Sequence, residues 1–289
     1  MSKSIFWDLR VEYHKKICSN ILGRRPGKEV YTIADSSSRT SIELSAKLVE
    51  KLGHPICTSP KSGQTAGSLF GQYTMEFLQV AFGRLQHLRP GDWIFSVSQA
   101  NPGIAVFDQY EHLAELQKVL EKYSDLKSAI GGDYLIIPDI VIARRPVSDE
   151  AINTYEHLVD RNEQIAKHTP LRFVNYKKER AVLHASISCK WTMRSDRAQN
   201  TRTEALNLIR NRKGKTPHIV AVTFEPMPSR LASIAMGTGD VDCTYHGALY
   251  ELMEAVKEIG NEDQADILNT LINGHRLRDI SDLPFDLSI

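Results

Sequence analysis

The chain has 289 residues, 42% of them hydrophobic and 25% charged, with a net charge of +1. That suits one large or two modest domains with a core that needs no covalent staples. Cys18, Cys57, Cys189 and Cys243 form no CxxC pair, which excludes a structural zinc site or thioredoxin-like motif, and no apolar run approaches the roughly 20 residues of a membrane span.

In chain order, Met1 to Arg10 mixes charges and lacks an apolar h-region, so a cytoplasmic protein with free thiols and no membrane partner is expected. Phe6, Leu9, Tyr13 and Ile17 step by three and four and predict a helix over 5–22. Thr40-Ser41-Ile42-Glu43 reads as a capping box opening a helix that ends at Gly53. A stripe of Leu69, Phe70, Tyr73, Phe77 and Val80 predicts a helix over 66–87. A strand is expected at Trp93 to Val97 and a long amphipathic helix over 108–130, stopped by Gly131-Gly132.

Tyr134 to Ile142 is almost wholly apolar and β-branched, interrupted by Pro138-Asp139, the pattern of a buried strand. The stretch 144–170 is polar without a period and reads as a long excursion. Leu183 to Trp191 alternates, with Leu183, Ala185, Ile187, Cys189 and Trp191 on one face and His184, Ser186, Ser188 and Lys190 on the other; a half-buried strand is expected. A helix over about 196–212, a buried strand over 218–224 and helices over about 244–259 and 262–273 complete the reading. Strands alternating with helices predict an α/β or α+β fold around a mixed sheet, with α/β, a central mixed sheet flanked by helices, as the class expected. The whole of 1–289 is expected to form a single domain, with a helical part over about 1–90, a core over about 91–243 and C-terminal helices over about 244–289.

Charge is unevenly spread. Arg172 to Lys215 holds twelve Lys/Arg against three Asp/Glu, and Thr216 to Ile289 holds four against twelve. A basic segment beside an acidic tail is the footprint of a polyanion partner or a solvated face balanced by the tail.

Asp139 interrupts an apolar run, and a lone buried carboxylate is costly unless paired or metal-bound. Ser188 and Lys190 share one strand face, and Glu204 follows on the next helix. Asp, Lys and Glu on one sheet edge fit a divalent-metal phosphodiesterase, with an Asp–Lys ion pair and a solvated Glu204 as the structural alternative. Arg194, Ser195, Asp196 and Arg197 cluster at the start of that helix. Arginine forks match guanine O6 and N7, and aspartate accepts from the cytosine amino group. Ser195 or Asp196 can equally serve as an N-cap. Arg202, Arg210, Arg212, Lys213 and Lys215 suit phosphate contacts.

Pro138-Asp139, Ser188-Cys189-Lys190 and Glu204 resemble the PD-(D/E)xK nuclease signature in the variant whose acid has moved to the next helix. The long block from His184 to Cys243 and the segment 276–287 resemble the NgoMIV-type type II restriction endonucleases. The resemblance implies a restriction-endonuclease-like fold, Mg2+, double-stranded DNA as partner, and a homotetramer built as a dimer of dimers. It also implies a CCGG-containing palindrome, GCCGGC cut after the first G, and a cognate DNA methyltransferase in the cell that is not a physical partner. It assigns Asp139, Glu204 and the main-chain carbonyl of Cys189 to the metal, Lys190 to catalysis and Ser188 to the place where other families carry an acid. Arg194, Asp196 and Arg197 match the inner CCGG readers, Gln64 a minor-groove contact, and Asp35 and Arg230 the outer G·C readers. One departure stands out: Gly71 occupies the position of an active-site glutamate. This leaves open a sequence-specific DNA-binding protein with impaired or lost cleavage. A related nuclease that cuts by DNA structure is the other alternative.

Overall fold

The computed structural model describes residues 3–97, 103–123, 125, 136–173, 180–237 and 239–289. The strands form a six-stranded mixed sheet in the order β1 (Trp93–Val97), β2 (Ile140–Arg144), β3 (Val182–Lys190), β4 (His218–Thr223), β5 (Cys243–His246) and β6 (Leu277–Asp279), with helices flanking it. Contacts divide the chain into two compact units: residues 1–89, 187–206 and 218–289 in one, residues 90–186 and 207–217 in the other.

The larger unit begins with α1 (Ile5–Asn20), capped by Ser4, whose hydroxyl accepts from Trp7 N–H at 3.2 Å. Helix α2 (Arg39–Leu52) starts earlier than its sequence implied: Ser38, and not Thr40, is the N-cap and accepts from Ser41 N–H. It ends as expected at Gly53, whose φ of 65° is the left-handed turn that glycine adopts without penalty. Helix α3 (Gly63–Gly83) buries Phe70, Thr74, Phe77 and Ala81, while Val80 is exposed. The buried stripe is thus rotated from the expected one, because α3 is packed against α1, where Thr74 meets the Tyr13 hydroxyl at 3.1 Å.

Strands β4 (His218–Thr223), β5 (Cys243–His246) and β6 (Leu277–Asp279) pair in parallel, Val220 opposite Cys243 and Thr244 opposite Leu277. The helix expected from about 244 begins only at Leu249. Residues 243–246 are strand because their backbone is paired between β4 and β6, and all four are buried. Helix α7 (Pro228–Ala235), with proline in its first turn, and β6 were not anticipated. Helices α8 (Leu249–Ile259) and α9 (Glu262–Asn273) follow the expected pattern. The N-terminus is tied to this end by Arg10, which donates to both oxygens of Asp279 at 2.9 and 2.8 Å and of Glu251 at 2.7 and 2.6 Å. Burial pushes the Asp279 carboxyl up, but hydrogen bonding and charge from Arg10 outweigh it and hold the group below its usual range. The short α10 (Leu283–Asp286) closes the chain.

In the smaller unit β1 (Trp93–Val97) pairs antiparallel with β2 (Ile140–Arg144), Trp93 opposite Arg144 and Val97 opposite Ile140. Helix α4 (Glu111–Lys122) follows two 3-10 turns. Most of the rest of the helix expected over 108–130, with its Gly-Gly stop and Tyr134-Leu135, lies outside the described residues. The long excursion contains one short helix, α5 (Asp149–Ile152), and is clamped by Arg172, which donates to both oxygens of Asp149 at 2.7 Å.

Strand β3 (Val182–Lys190) is the element in which the chain passes between units. It was expected to be half-buried. Its polar face is buried as well: His184 and Ser188 are 8% exposed and Ser186 5%. Those side chains are accommodated by specific neighbours; the His184 ring lies 4.8 Å from that of Trp93, and Ser188 meets Thr201 of α6 (Ser195–Asn211) at 3.2 Å.

Candidate active site and DNA-reading cleft

Four of the five residues assigned to catalysis or metal lie in the larger unit. Ser188, Cys189 and Lys190 end β3, and Glu204 lies on α6. Alternation puts Ser188 and Lys190 on one side of the strand. Helix spacing puts Thr201 and Glu204, three apart, on one side of α6. The Ser188–Thr201 hydrogen bond joins those two sides. Lys190 and Glu204 are both half-buried at the margin of this contact, beside Ala198, Thr201 and Ala205, which are buried. Asp139 belongs to the smaller unit, where it is half-buried directly before β2, a strand whose first four residues are fully covered.

As a donor set, the carboxylates of Asp139 and Glu204 with a main-chain carbonyl are all hard oxygen ligands, suited to a hard divalent cation and not to a thiolate or imidazole site. Among the described residues no group of three or more His, Cys, Asp and Glu is placed to hold a metal. Helix α3 approaches the opposite side of β3: a Cβ built on Gly71 would stand 4.0 Å from Cys189 Cβ, an ordinary contact, so the backbone admits a side chain there.

Beyond β3, Trp191 and Met193 are buried while Arg194, Ser195 and Asp196 are exposed. Trp191 is held between Phe70 and Phe224, with ring centroids at 5.4 and 5.3 Å. The Arg194 carbonyl accepts from Ala198 N–H at 2.9 Å, so Arg194 stands at the entrance of α6. Asp196 in the first turn complements the helix dipole.

These exposed residues line a cleft of about 700 Å³ whose walls come from three distant segments: Asp35 and Ser37, Met193 to Asp196, and Ser229, Arg230 and Ser233 of α7. The structure therefore brings Asp35, Arg194, Ser195, Asp196 and Arg230 together. Arg230 forms an ion pair with Asp35. Asp35 also accepts from the N–H and hydroxyl of Ser37 at 3.0 and 2.7 Å. These hydrogen bonds, then Arg230, hold its carboxyl well below the usual carboxylate range, so it is an ionised acceptor. Two arginines beside two aspartates match the donor and acceptor pattern of G·C pairs in the major groove. Gln64, exposed in the first turn of α3, is not part of this wall. Arg197 is not either; it donates to the Thr192 carbonyl at 3.0 Å and hydroxyl at 2.8 Å, bracing the turn.

Glu225 was missed by the sequence reading. It is fully buried beneath the cleft and accepts from Met193 N–H at 2.8 Å. The signal was present, since an acid directly after the apolar run HIVAVTF is the same anomaly that singled out Asp139.

The family model described as NgoMIV restriction enzyme matches residues 13–289. The type II restriction enzyme NgoMIV of Neisseria gonorrhoeae is 46% identical over 287 residues, which is 99% of each chain. This chain belongs to the NgoMIV restriction enzyme family. It is a type II restriction endonuclease, a site-specific deoxyribonuclease whose partner is DNA, and enzymes of this class generally use divalent metal ions. Among the described residues no helix is long and apolar enough to cross a membrane.

Proposed function

We propose that this enzyme hydrolyses phosphodiester bonds of duplex DNA with Mg2+ at a CCGG-containing palindrome, GCCGGC cut after the first G. The observation that carries this reading is the Ser188–Thr201 hydrogen bond. It sets the strand side bearing Lys190 against the helix side bearing Glu204, and the turn between them presents Arg194 and Asp196 to the cleft. Lys190 and Glu204 thus ride with Arg194 and Asp196 on one strand-turn-helix segment, so docking of those readers fixes where these two cutting groups fall.

Asp139, Glu204 and the Cys189 carbonyl would hold Mg2+; when bound, the ion neutralises phosphate charge and lowers the pKa of a water. Lys190 donates to the scissile phosphate and stabilises the charge that develops there. Ser188 keeps α6 in register through Thr201. Arg194, Asp196 and Arg197 serve the inner CCGG, Asp35 and Arg230 the outer G·C pair, and Gln64 the minor groove. The working form is a homotetramer, a dimer of dimers, in a cytoplasm where a cognate methyltransferase protects host DNA without binding the enzyme.

Digestion of a mapped plasmid with magnesium, followed by sequencing of the ends, tests this. Discrete fragments ending after the first G of GCCGGC are expected; ends at another sequence, or at no common sequence, reject it. Gly71 supports a reduced turnover. Gly71→Glu is expected to raise the single-turnover rate severalfold while leaving duplex affinity unchanged. An unaltered rate would remove position 71 from the account.

A further inference from the structure

Glu225 leads from β4 toward α7 and is 0% exposed. Its two carboxylate oxygens are divided between two segments: Oε2 accepts from Met193 N–H at 2.8 Å and Oε1 from Met227 N–H at 3.3 Å. Met193 directly precedes Arg194. Met227 is the N-cap residue of α7, which carries Arg230 three positions on. One buried carboxylate therefore grips the main chain beneath both arginines of the cleft. Glu225 is itself fixed from behind. Its N–H donates to Thr223 Oγ1 at 3.2 Å, and its carbonyl meets His246 Nε2 at 3.1 Å. Because His246 Nδ1 accepts from Ala248 N–H, Nε2 carries the proton and donates.

A fully buried carboxylate is costly, and an apolar side chain of similar volume would often fill such a space at least as stably. What it supplies instead is a rigid, two-ended acceptor. We infer that Glu225 is a positioning residue for sequence discrimination, which holds Arg194 and Arg230 at the separation that matches the inner and outer base pairs of the site. This rests on the proposed reading of the cleft.

The surroundings give the idea a second handle. Burial pushes the Glu225 carboxyl up to about 7, against the opposing pull of the Met193 N–H, Arg230 and the Met227 N–H, while Asp35 adds to the rise. His246 stays neutral, lowered to about 4 by burial. Below about pH 7 the carboxylate takes up a proton and one of its oxygens becomes a poorer acceptor for a main-chain N–H. Discrimination then weakens. The stability contribution runs the other way. A carboxyl whose pKa is raised from 4.5 in the fold stabilises the folded state at low pH and loses that contribution as pH rises through about 7. Acidification from neutrality thus favours folding through this group while it loosens the grip on the two segments.

The test compares equilibrium binding, with a chelator present, to a short duplex carrying GCCGGC and to a scrambled duplex of equal composition. Glu225→Gln keeps the shape but turns an amide NH2 toward one of the two N–H groups. It is expected to lower the ratio of the two affinities by about 10- to 100-fold, the scale of an unsatisfied buried donor, with scrambled-duplex affinity little changed and the unfolding temperature lowered in a variant that still folds. An unchanged ratio in a folded variant, or equal losses on both duplexes, overturns the inference. If the variant does not fold, the unmodified enzyme decides: its ratio should fall between about pH 8 and about pH 6, and a flat profile overturns the inference. Arg194→Ala measured alongside separates the two levels. Loss of discrimination in Arg194→Ala with none in Glu225→Gln rejects only the positioning role, whereas no loss in Arg194→Ala rejects the reading of the cleft itself.

Discussion

Lys190→Ala is expected to lower the cleavage rate by about 10²- to 10³-fold or more, the scale for losing one group that stabilises developing charge, while specific binding without magnesium stays near that of the unmodified enzyme. The separation follows from where the residue sits. Lys190 ends β3 and is half-buried at the margin of the strand–helix contact, whereas Trp191 and Met193, in the turn that leads to Arg194, are buried beyond it. Truncation at such a margin leaves the core untouched, so unfolding temperature should move little. Single-turnover cleavage and gel-shift titration on the same preparation read both quantities. Cleavage that persists in the variant would place the chemistry elsewhere; a parallel loss of binding would make Lys190 a docking residue.

Arg194→Ala is expected to cost about 1–3 kcal/mol of cognate binding, the range for a bidentate arginine–base contact, with a much smaller loss on scrambled duplex. The residue is exposed at the entrance of α6 and borders the cleft, so its truncation leaves no cavity. The slope of affinity against salt gives a second readout. A base contact leaves the slope nearly unchanged, whereas a phosphate contact lowers it by about one unit. Equal losses on both duplexes with a reduced slope would reassign Arg194 to the backbone.

Much of the site was legible because it was locally abnormal. Asp139 stands out as an acid inside an apolar run, and Arg194 to Arg197 as a charge cluster between a strand and a helix. Glu225 carries the same mark, an acid directly after the apolar run 218–224. The errors in the fold have a common cause. Strands β5 and β6 hold four and three residues, too few for a period to show, and are made strands by parallel partners outside their own sequence. The stripe on α3 lies elsewhere than expected because apolar Val80 is exposed and polar Thr74 is buried, where it meets the Tyr13 hydroxyl.

By itself the amino-acid order determined the well-marked helices, the alternating strand at 183–191, the apolar strand at 218–224, and the family, since each is written in contiguous residues whose spacing or identity carries the information. Only the tertiary structure decided that Asp35 meets Arg230 across 195 positions, that the polar side of β3 is covered, and that the one carboxylate of Glu225 accepts from both Met193 and Met227 N–H. Such pairings depend on which backbones are brought side by side, and neighbours set by packing leave no periodic trace in the chain that folds to make them.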